Sequence, residues 1–170
     1  GQYVDLLRYA KELEKKLIED AYLDGEYIND ATNKIEIYQR IAAIRTDEHA
    51  DQLEEELIDR FGALTEPVKK IMQVARLKNY ARKLKIKSII EKPAFVEICF
   101  DKAPNIEPEN MLLAKKQFDN LLKFVPKQNT IQIKITPINK KHIINLCLKV
   151  VKVLTGEKLQ KMTLKKEEKK

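Results

Sequence analysis

Three features of the sequence predict an α+β protein, with helices first and a small sheet after them. Through about residue 85, apolar residues recur at the 3.6-residue spacing of amphipathic helices. After Lys85 the period changes to two, as half-buried strands require. The remaining chain then alternates strand-like and helix-like segments. Together these predict N-terminal helices followed by a β-β-α-β-α unit whose three strands form one sheet.

The elements follow in order. Leu6, Tyr9, Ala10, Leu13 and Leu17 share a helical face, giving a first helix to about Asp20, and Gly25 marks the loop after it. Asp30 is placed to cap a second helix, where Ile37, Ile41 and Ile44 form a stripe beside Ile35, Tyr38 and Ala42. Asp47 is placed to cap a third, in which Leu53, Leu57 and Phe61 recur every fourth residue. Gly62 ends it in the C-cap role that glycine fills without a Cβ penalty. Thr65 and Pro67 open a fourth helix lined by Val68, Ile71, Met72 and Ala75 and continued by Leu77, Ala81 and Leu84. Ile86–Glu91 and Val96–Phe100 read as strands around a Lys92-Pro93 turn. A fifth helix is predicted from Glu109 to Phe124, and Ile131–Ile135 is the cleanest period-2 strand. Asn139 is placed to cap a last helix with Ile143, Cys147, Val150, Val151 and Leu154 on one side.

Composition limits the function. The chain has 170 residues, 44% hydrophobic and 35% charged, enough apolar content for one good core or two small ones. No apolar run reaches the roughly 18 residues of a membrane span. Gly1-Gln2-Tyr3 reads as a remnant, with the natural chain starting upstream. Cys99 and Cys147 fall at apolar positions and read as buried thiols, which suits the reducing cytoplasm. Charge is divided along the chain: residues 1–62 carry 8 Lys+Arg against 16 Asp+Glu, and residues 63–170 carry 25 against 10. Such polarity suggests partners of opposite sign for the two halves.

Catalytic signatures are missing. The glycines at 1, 25, 62 and 156 cannot form a phosphate-cradling loop. His49 and His142 stand apart from each other and from the cysteines, so no metal site and no cofactor are predicted. Glu54, Glu55, Glu56 and Asp59 are either a solvated helix face or part of a docking surface. Glu56, Asp59 and Arg60 lie at i, i+3 and i+4, so both signs of charge share one face. In the basic half, Lys69, Lys70, Arg76, Lys78, Arg82, Lys83, Lys85 and Lys87 cluster around the fourth helix, with Lys140, Lys141, Lys149 and Lys152 on the last. They read either as charged surface or as a module that contacts DNA phosphates.

Two stretches are more specific than generic helices. Tyr27-Ile28-Asn29-Asp30 precedes Lys34-Ile35-Glu36-Ile37-Tyr38-Gln39-Arg40-Ile41-Ala42, and Glu56-Leu57-Ile58-Asp59-Arg60-Phe61-Gly62-Ala63-Leu64 precedes Pro67-Val68. With Ala75-Arg76-Leu77-Lys78, Ala81 and Leu84-Lys85-Ile86, they resemble the C-terminal (TRCF) domain of the bacterial transcription-repair coupling factors. Tyr27, Asp30, Tyr38, Arg40, Phe61 and Gly62 carry the motif. Asn29 stands where the family has Pro, Lys34 where it has Arg, Thr65 where it has Pro, and Lys85 where it has Gly.

The resemblance implies that residues 1–26 are a helical linker following a motor, residues 27–154 a regulatory domain, and residues 155–170 a frayed Lys-rich tail. It further implies a non-catalytic domain from an ATP-driven DNA translocase that displaces stalled RNA polymerase and recruits UvrA. In that family the C-terminal domain packs in cis on a UvrB-like N-terminal module and hides its UvrA-binding surface. The contact carries over to Glu56, Asp59 and Arg60, which are therefore expected to be exposed. The motor and the polymerase-binding domain lie upstream of this segment. The alternative implied by the basic half is a DNA-contacting module of the same translocase.

Overall fold

The computed structural model describes residues 4–8, 28 and 31–157. It is α+β, and it divides into two compact units, Asp5–Asn79 and Gly1–Val4 with Tyr80–Lys170. The division falls inside one helix, Glu66–Leu84.

The first unit is helical. Asp5 Oδ1 accepts from the backbone N–H of Leu7 at 3.1 Å and of Arg8 at 3.4 Å, capping a helical turn that begins at Leu6. The rest of that predicted helix, residues 9–20, and its proposed successor's cap, Asp30, lie outside the described residues. Helix α1 spans Ala31–Ala42, α2 Asp47–Phe61 and α3 Glu66–Leu84. Their stripes meet in one core: Ile37, Tyr38 and Ile41 from α1, Ala50, Leu53 and Leu57 from α2, Val68, Ile71, Met72 and Ala75 from α3. Ile28 and Ile44 join them, and Phe61 and Leu64 pack at the margin. Ile35, placed beside the stripe by periodicity, is instead 43% exposed.

The caps shift by one residue from the sequence reading. Thr46, not Asp47, is the N-cap of α2: its hydroxyl accepts from His49 N at 3.1 Å. Asp47 and Glu48 occupy the first turn, where the helix dipole favours negative charge. At the other end Gly62 holds φ +87° and ψ −167°, and its N–H donates to Ile58 O at 2.9 Å. That backbone region is essentially reserved for glycine. The α3 helix ends at Lys85, which takes φ +56°. A lysine thus makes the left-handed turn and carries its Cβ cost.

The second unit holds most of a sheet that has five strands, not three. They are β1 Val4–Asp5, β2 Ile86–Glu91, β3 Phe95–Phe100, β4 Leu122–Val125 and β5 Thr130–Lys134, ordered β1-β2-β3-β5-β4. The β2–β3, β3–β5 and β5–β4 pairs are antiparallel. Two strands escaped the sequence reading for physical reasons. Strand β1 is only two residues long. Strand β4 lies within the predicted fifth helix: α4 spans Pro108–Phe118, Asp119 then turns at φ +47°, and the chain re-enters as strand at Leu122.

Side-chain alternation gives the sheet one apolar face. Ile89, Ile98 and Ile131 lie in one cross-strand row, and Val96, Ile133 and Leu122 in the next, each at most 2% exposed. Helix α5, Ile143–Leu154, contributes Cys147, Val150, Val151 and Leu154 to the same unit's core. Asn139 is not its cap. It accepts from Thr136 N at 2.8 Å and donates to Lys134 O at 2.9 Å, fixing the turn before α5. At the end of α5, Tyr80 donates from its hydroxyl to Glu157 Oε2 at 2.7 Å, and Lys83 pairs with Glu157 at 3.7 Å. Residues 158–170, the remainder of the expected tail, lie outside the described residues.

Candidate docking surface

Helix α2 presents its charged residues on the side its core stripe leaves free. Leu53 and Leu57 are buried at 2% and 0%, and Glu55, Ile58, Asp59 and Arg60 lie exposed off that stripe. Asp59 and Arg60 are exposed, and Asp59 has no ion pair among the described residues. Arg60 lays its guanidinium carbon 4.9 Å from the Phe61 ring centroid and sits 3.7 Å from Glu56 Oε1.

Glu56 departs from the expectation of free exposure. It is half-buried and ion-paired with Arg40 of α1, with Arg60 on its other oxygen. Arg40 therefore belongs to the surface as well as to the motif: its pair with Glu56 ties α1 to α2, while Arg60 meets Glu56 within α2 and Asp59 stands clear. The structure thus joins Glu56, Arg40 and Arg60 and leaves Asp59 beside them. Phe61 is half-buried at the core margin, Tyr38 is in the core, and Gly62 is exposed. Tyr27 lies outside the described residues.

One residue of this surface was passed over. Ile58, next to Asp59, is 49% exposed. It falls outside the i, i+4, i+8 stripe of α2, and an apolar residue off the core stripe was the available signal.

A second charged cluster is internal to the same unit. Arg76 of α3, 13% exposed at its side chain, meets Asp51 at 2.6 Å, Glu54 at 3.3 Å and Asp47 at 3.4 Å. Burial alone would lower its pKa, but the Asp51 hydrogen bond and the charges of Glu54, Asp51 and Asp47 outweigh that and raise it. Arg76 was grouped with the cations of a basic face; it is a fastener between α3 and α2. No group of three or more His, Cys, Asp or Glu that could hold a metal comes together among the described residues. No helix among them is long and apolar enough to cross a membrane.

The family model described as the TRCF domain matches residues 17–111. The chain is 28% identical to the transcription-repair-coupling factor of Borreliella burgdorferi over 145 residues, 85% of this chain and 13% of that protein. It is 30% identical to that of Bacillus subtilis over 62% of this chain and 9% of the relative. Against that of Escherichia coli it is 33% identical over 50% of this chain and 7% of the relative. The chain therefore spans a small part of the length of these relatives. Among solved structures it is similar to the crystal structure of the C-terminal domain of a transcription-repair coupling factor. That match has a TM-score of 0.65 at 25% identity and covers 82% of this chain and 89% of that one.

Proposed function

This chain belongs to the TRCF-domain family, and on that premise we propose that residues 27–154 form the C-terminal regulatory domain of a transcription-repair coupling factor. The domain docks and does not catalyse. It packs in cis on a UvrB-like N-terminal module, covers that module's UvrA-binding surface, and restrains the translocase during transcription-coupled DNA repair in the cytoplasm. The parent's motor engages DNA, and its polymerase-binding domain engages RNA polymerase.

The observation that carries this reading is the outer face of α2. Asp59 has no ion pair among the described residues, Ile58 is exposed beside it, and Arg60 flanks it with a guanidinium that is only weakly held at 3.7 Å. The Arg40–Glu56 pair fixes the helix that presents them. A rigid helix face with an apolar centre and both charge signs is suited to a reversible contact, where charges set register and partner choice.

The test is UvrA binding by the full-length parent. Truncating or reversing one partner of a charge pair in a docked interface costs about 2–5 kcal/mol, and a clamped equilibrium responds to the whole of that difference. Asp59→Arg should therefore raise UvrA affinity sharply. Equal affinity of wild type and variant would remove α2 from the clamp.

A further inference from the structure

The structure separates the cations of this chain into those already neutralised and those that are not. Arg76 is enclosed by carboxylates, Lys69 pairs with Glu66, Lys83 with Glu157 and Lys87 with Asp101. Much of the basic cluster around α3 is thus internal bookkeeping of charge. Lys123, Lys134, Lys140 and Lys141 differ: all are exposed, and none has an ion pair among the described residues.

The sheet register gathers them. Lys123 on β4 faces Gln132 on β5, and Lys134 on β5 faces Phe95 on β3. Residues two apart on a strand share a face, so Lys123, Gln132, Lys134 and Phe95 lie together, opposite the apolar face. The diagonal from Lys123 to Lys134 is about 7–8 Å, close to the spacing of successive phosphates on a strand. Lys92 sits over Phe95, its Nζ 5.3 Å from the ring centroid. Beyond β5, Ile135 N donates to Ala94 O at 2.9 Å and Asn139 holds Lys134 O, so the turn leading into Lys140 and Lys141 is pinned at the same end of the sheet. Glu97 on this face is already taken by Lys92 at 3.4 Å. Asp119, exposed in the turn before β4, places one negative charge at this end.

We propose that this corner of the sheet binds the phosphate backbone of duplex DNA without reading its sequence. Its cations are lysines, point charges suited to phosphate, and it has no arginine fork for base edges. A single strand is the poorer fit, because its binding depends on aromatic platforms. Phe95 is half-buried and its ring face is occupied by Lys92. This surface belongs to the sheet unit and stands independently of the α2 docking face.

The experiment is a salt titration of the chain against a short labelled duplex, read by fluorescence anisotropy. Four phosphate contacts predict a slope of log affinity on log salt of about −3.6, and about a 150-fold loss between 50 and 200 mM salt. Lys123→Gln with Lys134→Gln should flatten that slope by about 2. The control pair, Lys69→Gln with Lys83→Gln, removes the same charge from residues already in ion pairs and should leave the slope unchanged. Equal flattening by both pairs would reduce the effect to net charge and overturn the assignment. So would the absence of salt-dependent binding by the wild type, or tighter binding of a single strand than of the duplex.

Discussion

Replacing Arg76 with Met keeps an unbranched apolar stem and removes the guanidinium charge that faces three carboxylates. At an effective dielectric of about 20, each pair near 4 Å is worth about 4 kcal/mol of attraction before desolvation is counted. The guanidinium is 13% exposed, so its desolvation offsets much of that gain. Asp51 is 63% exposed at its side chain, which screens the shortest of the three contacts. Removing one partner of a fully buried pair costs about 3–5 kcal/mol, and solvent access here brings the expected loss to about 2. Asp47, in the first turn of α2, keeps some compensation from the helix dipole. The predicted outcome is a fall in melting temperature of about 4–8 °C. The assay is thermal and urea unfolding of wild type, Arg76→Met, Asp51→Asn and the double variant. A coupling energy of about 1 kcal/mol or more between positions 76 and 51 is expected. A coupling near zero, or an Arg76→Met variant within about 0.5 kcal/mol of wild type, would refute the assignment of Arg76 as the fastener of α3 to α2.

Two backbone positions should respond in opposite directions. A Cβ at Gly62 would meet nothing within 4 Å, so any loss in Gly62→Ala is backbone strain at φ +87°, expected at about 1–3 kcal/mol by denaturant unfolding. Lys85→Gly should stabilise by a few tenths to about 1 kcal/mol, since relieving the left-handed turn outweighs glycine's greater unfolded-state entropy. Burial pushes the Cys147 thiol from its ordinary 9.0 up to about 12, with the Glu91 charge adding to it. Its folded pKa is the higher one, so its contribution is constant below pH 9 and is lost as pH climbs from 9 toward 12. Stability over that window should fall up to about 1.4 kcal/mol per pH unit more steeply in wild type than in Cys147→Val, and equal slopes would contradict the burial of that thiol.

The helical half was legible because its stripes are long and regular: Ile37, Ile41, Leu53, Leu57, Val68, Ile71 and Met72 all reach the core that their spacing implied. Strand β4 was not legible, because Leu112, Leu113, Phe118, Leu121, Leu122 and Val125 continue a helical spacing without a glycine to break it. The break is made by Asp119 in a left-handed turn, and Lys115 Nζ reaches back to Asp119 O at 2.9 Å and Leu122 O at 2.5 Å across it. Leu112, 72% exposed, shows that this spacing was partly accidental. The candidate surface was half legible for a similar reason. Spacing within α2 put Glu56, Asp59 and Arg60 on one side, but nothing local reveals that Arg40 from α1 would claim Glu56. The same limit hid the partners of Arg76, which lie 25 residues away at Asp51.

The central claim is that the outer face of α2 is a docking surface for a UvrB-like module. The most direct measurement titrates this chain, wild type or Asp59→Arg, into the separately prepared UvrB-like module of its parent and follows the heat of binding. The account predicts a saturable complex with the wild type and loss of tenfold or more in affinity with Asp59→Arg, the thermal midpoint of the chain being unchanged. A wild-type chain that does not bind the module, or a variant that binds it equally well, would contradict it.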